Sequence, residues 1–591
     1  MSSKLMPLTA PEPTAPEPTD VGQPAPEPTS NRSAAVAISA SLHRHGVAVT
    51  FGQSLPSLVQ LANTQFGIRQ IAYRTENAGG IMADGYARVS HKVGVVTTQN
   101  GPAATLLVPP LAEALKASVP IVALVQEVAR NTFDKNAFQE LDHIALFAGC
   151  AKWVRRVDHH SRAEDYVDMA FTAATTGRPG PAVLLLPSDL LAETARIANA
   201  RSASLGTFPL DRVAPDPAAI ERAADLLANA RAPIVFAGGG VHLSGAAEAL
   251  ARLQDAASLP TATTNMGKGA VDEHHPLSLG VAANAMGRNG STRHLRPMID
   301  RADVVLLVGT RTNQNGTDSW ALYPRGATFI HIDVDGQEVG RNYEAVRVVG
   351  DAKLALEALQ AALSRRDLAA RTAGRAALEA EIAEGKRRFR DATAALSGSG
   401  ASPLRPERVM AAVAEVMTPE TIIVGDASYS TLWITNYLVS QRAGQRFLTP
   451  RGLAGLGWGL PLALGAKVAM PGAPVICVSG DGGFGHCWAE LETARRMKLP
   501  VVLIVLNNGI LGYQKHGETV AYGQHTDAVF FEPVDHAAIA RACGCNGRRV
   551  EQADDLLPAL REALAADCLT LIEVMTDPEA RPPLGFFDKH H

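Results

Sequence analysis

The chain is poor in cysteine, with six in 591 residues. They stand singly or as Cys543-Gly544-Cys545, a spacing that fits neither a Cys-x-x-Cys zinc knuckle nor a disulfide framework. Long apolar runs are also missing. No stretch approaches the roughly 20 residues needed to span a bilayer, and the first residues lack the charged-then-apolar order of a secretory signal. Nor is there an excess of positive charge. With 55 Lys and Arg against 59 Asp and Glu the net charge is −4, which excludes a broad basic surface for nucleic acid or anionic lipid. Together these absences predict a cytoplasmic protein with neither a membrane nor a nucleic-acid partner.

What is present is an ordinary globular composition, 46% hydrophobic and 19% charged, in a chain too long for one core and suited to three domains. Residues 1–32 hold a repeated Ala-Pro-Glu-Pro-Thr, a Pro/Glu-rich tract that cannot bury a core and is expected to be a disordered tail. From 33 to 200 short apolar strands alternate with helices, among them Val93-Gly94-Val95-Val96-Thr97-Thr98 and Pro120-Ile121-Val122-Ala123-Leu124-Val125. Residues 400–580 repeat that grammar, and 205–385 carry a looser version with Gly238-Gly239-Gly240 after a strand. Alternation of this kind predicts an α/β protein with three doubly wound parallel-sheet domains. A charged, alanine-rich stretch from 365 to 394 is expected to form a long helix into the last domain.

The most informative motif is Gly480-Asp481-Gly482-Gly483, followed after a helix and a second apolar strand by Asn507-Asn508. A βαβ unit brings the two strand ends side by side, at the carboxyl edge where open α/β sheets bind ligands. Asp481 and Asn508 are hard oxygen ligands, and two of them leave most of an octahedron for phosphate oxygens and water around Mg²⁺. The site therefore reads as a clamp for a diphosphate. A second element, Arg74-Thr75-Glu76-Asn77-Ala78-Gly79-Gly80, follows an apolar strand and sets Glu76 at the start of a helix rich in small residues.

These two motifs resemble the thiamine diphosphate enzymes, and 33–580 is similar to the acetolactate (acetohydroxyacid) synthase branch. Further carriers are Asn136-Ala137-Phe138-Gln139-Glu140-Leu141-Asp142 and Gly452-Leu453-Ala454-Gly455-Leu456-Gly457-Trp458. The resemblance implies pyrimidine-binding, central and diphosphate-binding domains, in that order. It implies that Glu76 hydrogen-bonds the aminopyrimidine ring and activates the cofactor, and that Leu456 wedges between its two rings and bends it. Tyr429 and Ser430 fall where the branch places polar groups against the diphosphate, and the carbonyl of Ile510 where it supplies a third metal ligand. Phe138 and Gln139 fall in its substrate pocket. Lys515 and His516 are candidates to orient substrate. The implied chemistry is decarboxylation of a 2-oxo acid and carboligation of the retained unit to a second carbonyl, in a homodimer at minimum and a homotetramer commonly.

Three departures leave donor and acceptor open: Gly101-Pro102-Ala103, Arg311-Thr312-Asn313-Gln314 and Leu511-Gly512-Tyr513-Gln514-Lys515-His516. Sulfoacetaldehyde acetyltransferases, 2-hydroxyacyl-CoA lyases and oxalyl-CoA decarboxylases share the scaffold, so an acyl-CoA is an alternative substrate. The central domain can hold FAD, an adenine nucleotide such as ADP or CoA, or nothing. A degenerate regulatory paralogue is the non-enzymatic alternative.

Overall fold

A computed structural model describes residues 29–198, 201–283 and 286–588. The expected α/β architecture is present as three six-stranded parallel sheets, beside a two-stranded antiparallel ribbon. The ribbon corrects the expected tail, because Thr29–Ser33 is a strand paired with Thr194–Ala198. The rest of that tail lies outside the described residues. Local composition could not signal this pairing, whose partner is more than a hundred residues away.

The N-terminal sheet runs Arg69–Ile71, Val49–Gly52, Gly94–Thr98, Ile121–Glu127, Ala182–Pro187, Trp153–Arg156. Numbered along the chain, its strand order is 2-1-3-4-6-5. The C-terminal sheet has the same order, with Phe447–Leu448, Ile422–Gly425, Val475–Gly480, Val502–Asn507, Thr570–Met575 and Asn546–Val550. The central sheet differs. Its order is 3-2-1-4-5-6, that of dinucleotide-binding sheets, with the reversal between Pro233–Ala237 and Val304–Val308. The long helix spans Ala369–Ser397, three or four residues later at each end than its composition suggested.

Central strands are buried on both faces, as their unbroken apolar runs require: every residue of Val304–Val308 and Val502–Asn507 is buried. The outer two domains share one core. Helix Glu76–Ser90 lies against helix Gly459–Ala469, and glycines set the approach. A Cβ on Gly85 would stand 2.3 Å from the Leu462 carbonyl oxygen, and one on Gly465 would stand 2.0 Å from that of Met82. Ile81, Met82, Leu460 and Leu462 are fully buried there. Each contributes about 1.5–3 kcal/mol, and a larger residue at Gly465 would force the helices apart.

Candidate active site

In the C-terminal sheet the strand order reverses between Ile422–Gly425 and Val475–Gly480, and a cleft of about 620 Å³ opens at their carboxyl ends. Tyr429, Ser430, Leu456, Gly480, Asp481, Gly482, Gly483, Asn508 and Ile510 line it together. Asp481 is 7% exposed and starts a short helix. Its Oδ1 accepts from the Gly482 N–H at 2.9 Å and its Oδ2 from the Gly509 N–H at 2.8 Å. Burial pushes its pKa up to about 6 despite those amides. Asn508 Oδ1 accepts from the Ile510 N–H at 3.2 Å. Asn507 serves the fold instead, its Nδ2 donating to Glu573 Oε1 at 2.7 Å.

This donor set fits Mg²⁺ and a diphosphate. Among the described residues no cluster of three or more His, Cys, Asp and Glu forms a metal site, so a softer ion has no cage, whereas one buried carboxylate with amide and carbonyl oxygens suits a hard cation. Gly480 supplies the second observation. A Cβ there would meet nothing within 4 Å, so the chain's own packing does not require glycine and the space is open to a ligand. Gly483 is different, since its Cβ would lie 2.4 Å from Asp426 Oδ2.

Asp426 is the residue that sequence reading missed. It is fully buried and accepts from the N–H groups of Gly457 and Trp458, both at 3.1 Å, and from Ser479 Oγ at 2.9 Å. It thereby ties the ends of two strands to the loop that carries Leu456. The other end of that loop is held across the domain boundary, where buried Glu113 accepts from the N–H groups of Gly452 at 2.7 Å and Ala454 at 3.3 Å. Positive φ at Ala454 (63°) and Gly457 (83°) shows how sharply the loop turns between these two grips. A signal existed in the sequence, for Gly425-Asp426 repeats the strand-Gly-Asp ending of Gly480-Asp481.

Lys515 and His516 do not line the cleft. Helix Gly512–Tyr522 turns His516 inward, where it is 1% exposed and pairs through Nδ1 with the Tyr429 hydroxyl at 2.9 Å. Burial and the nearby Arg581 charge lower its pKa to about 4, so it stands as a neutral brace behind Tyr429. Lys515 pairs with Glu579 and lies over the Phe530 ring. Each is thus held by partners of its own chain, His516 by Tyr429 and Lys515 by Glu579.

Glu76 opens its helix as expected, behind the N-cap Thr75, whose Oγ1 accepts from the Ala78 N–H at 3.3 Å. It is half-buried, and that burial raises its pKa. Glu490 of the C-terminal domain anchors this helix end, accepting from the N–H groups of Arg74 at 3.2 Å and Thr75 at 3.0 Å. Gln139, at φ 62°, accepts from Gln99 Nε2 at 2.5 Å, and Phe138 is 85% exposed. None of Glu76, Phe138 and Gln139 lines the Asp481 cleft of its own chain.

A larger cleft, with about 1230 Å³ of empty space open to solvent, lies at the reversal of the central sheet and holds none of the Asp481 group. Gly239, Gly309, Arg311, Asp333, Arg178 and Arg451 are part of its lining. Gly238 and Gly240 are needed for packing, since a Cβ on either would reach within 2.7 Å of Gly309. Gly239 is less tightly hemmed, though a Cβ there would still press on Met266 Cβ at 3.2 Å. Burial raises Asp333 to about 6 and lowers the Arg311 pKa.

Three family descriptions match the chain: thiamine pyrophosphate enzyme, N-terminal TPP binding domain over 32–146, central domain over 220–359, and C-terminal TPP binding domain over 426–574. The chain belongs to the thiamine pyrophosphate (thiamine diphosphate) enzymes. Within them it is acetolactate synthase-like. A probable acetolactate synthase large subunit of Methanocaldococcus jannaschii is 32% identical over 93% of this chain and 93% of its own. The acetolactate synthase large subunit of Parasynechococcus marenigrum is also 32% identical, over 92% and 87%. A sulfoacetaldehyde acetyltransferase of Rhodobacter capsulatus is 30% identical over 92% and 94%.

Proposed function

We propose that this enzyme condenses two molecules of pyruvate to acetolactate with release of one carbon dioxide. The observation that carries this is the assembly of Asp481, Asn508, Ile510 and Leu456 around one cleft, in a chain similar along most of its length to acetolactate synthase large subunits. Bound thiamine diphosphate would supply a C2 carbanion and an electron sink for the decarboxylated unit. Asp481, Asn508 and the Ile510 carbonyl would hold Mg²⁺ against its diphosphate, and Gly480 would leave room for it. Leu456, gripped through Asp426 and Glu113, would fix the bend of the cofactor, an orientation effect that can supply several kcal/mol. Glu76 would hold a proton against the pyrimidine ring, and its burial-raised pKa suits that task.

The site is shared between two copies in this account, so the working form is a homodimer or a tetramer built from it. Support comes from Glu76, which does not line the Asp481 cleft of its own chain. The central cleft takes an adenine nucleotide, FAD or ADP, at the reversal of a dinucleotide-type sheet. A cytoplasmic home accords with six free cysteines.

Transfer of the acyl unit to phosphate is the second reading. It is favoured by the Rhodobacter relative and by the altered stretch 511–516 beside the cleft. Product analysis decides between them: protein with thiamine diphosphate, Mg²⁺ and pyruvate, with Glu76→Gln as control. Acetolactate formed by the wild type and lost in the control supports the synthase. If acetolactate is absent from protein that binds the cofactor, the synthase assignment fails. Acetyl phosphate formed from sulfoacetaldehyde and phosphate would then identify the acetyltransferase.

A further inference from the structure

Arg451 opens the loop that presents Leu456, and it also lines the central cleft. Its Nε and Nη2 are buried and have no hydrogen-bond partner. The nearby carboxylate that could compensate it, Glu113, is occupied by the amides of Gly452, Leu453 and Ala454. Of the other cations of the cleft, Arg178 is engaged with Glu338 and Asp335, and Arg311 has the carboxylates of Glu338 and Asp333 nearby. A buried guanidinium with unmet donors is costly, and an anion seated beside it offsets that cost. Guanidinium geometry matches phosphate through two parallel N–H donors.

We propose that Arg451 is the anion contact of the central cleft, and that a phosphate-bearing adenine nucleotide bound there steadies the loop that carries Leu456. This rests on the nucleotide assignment of the central cleft given above. The connection is covalent and short: residues 451 and 456 stand at the two ends of one segment, with the backbone of 452–454 pinned by Glu113 and that of 457–458 pinned by Asp426. With Arg451 paired, the loop is fixed from the nucleotide side as well. An empty central cleft leaves an unpaired charge at the root of the same loop, and the presentation of Leu456 becomes less certain in position. Occupancy of a cleft that takes no part in the chemistry would in this way set how well the cofactor is bent.

The test uses the full chain loaded with thiamine diphosphate and Mg²⁺. ADP and FAD are titrated separately by calorimetry into wild type, Arg451→Ala and Arg451→Lys. Backbone hydrogen exchange over 452–458 is followed with and without each nucleotide. The expected result is that at least one nucleotide binds the wild type and slows exchange in that segment, and the one that binds shows whether the flavin is needed. R451A should bind it about tenfold or more weakly and lose the slowing at saturating nucleotide, while thiamine diphosphate binding is kept. R451K keeps the charge without the fork and falls between. Equal nucleotide affinity in R451A overturns the Arg451 role and leaves the cleft assignment standing, as does unchanged loop exchange in the wild type on binding. If neither nucleotide binds the wild type, both the cleft assignment and the Arg451 role fall.

Discussion

The N-terminal and C-terminal sheets share one strand order, 2-1-3-4-6-5, yet their strand ends carry different chemistry. At the reversal of the C-terminal sheet the two flanking strands run into Asp426 and Asp481. The matching strands of the N-terminal sheet run into Gln53 and into Gln99-Asn100. Those amides are spent on neighbouring loops: Gln53 donates to the Arg74 carbonyl at 2.9 Å, and Gln99 and Asn100 donate to Gln139 at 2.5 and 3.0 Å. Where one sheet opens a cleft with buried carboxylates, the other ties the same position to neighbouring loops and presents Glu76 from a helix instead. Strand order thus fixes where a ligand can sit, and the residue just past each strand decides whether a cradle forms. In the proposed account a metal cradle and an acid come from two versions of one topology.

The sharpest way to break that division of labour is at the acid. Glu76→Gln keeps size and loses the proton, and turnover of pyruvate should fall by about 10²–10⁴-fold with cofactor affinity little changed; a calorimetric titration beside the rate assay checks both. Asp481→Ala attacks the cradle. Mg²⁺-dependent retention of thiamine diphosphate should be lost in equilibrium dialysis, with the fold intact by circular dichroism, and undiminished retention would refute the ligand assignment.

Asp426→Ala removes the shared acceptor of Ala427, Gly457, Trp458 and Ser479, leaving the three buried backbone donors unmet. A loss of about 3 kcal/mol or more in denaturant stability is expected, with the loop at 452–458 exchanging faster. The mildest effect tests the N-terminal side. Asp168 is buried against its own ionisation, but hydrogen bonds from His45, Arg44 and Arg201 prevail and hold its carboxyl well below the usual carboxylate range. A depressed carboxylate adds stability above its unfolded pKa near about 4 and loses it as pH falls toward the folded value. Wild-type thermal midpoints should therefore drop below pH about 4 more steeply than those of Asp168→Asn.

The parallel sheets were legible because their strands are unbroken apolar runs, and the Asp481–Asn508 pair because its two strands are hydrogen-bonded neighbours in the sheet. Leu456 could be placed only through resemblance, since nothing local distinguishes it from a core leucine. Asp426, Glu113 and Glu490 escaped notice because their partners are remote in sequence: Glu113 reaches Gly452 across 339 residues and Glu490 reaches Arg74 across 416. The contact of His516 with Tyr429 was not legible either, because it depends on the phase of helix Gly512–Tyr522 and on a partner 87 residues away. The strand at Thr29–Ser33 was hidden by a Pro/Glu-rich context and a partner at Thr194–Ala198.

The central claim, that the cradle of one copy is served by the acid of another, is tested most directly by mixing two dead variants. Glu76→Gln and Asp481→Ala chains are co-folded in equal amounts and assayed for acetolactate. Random pairing places an intact Glu76 against an intact Asp481 in about a quarter of all sites, and activity near that fraction of the wild type is predicted. If the mixture stays as inactive as either parent while hybrid dimers are shown to form, each site is built from one chain and the claim is contradicted.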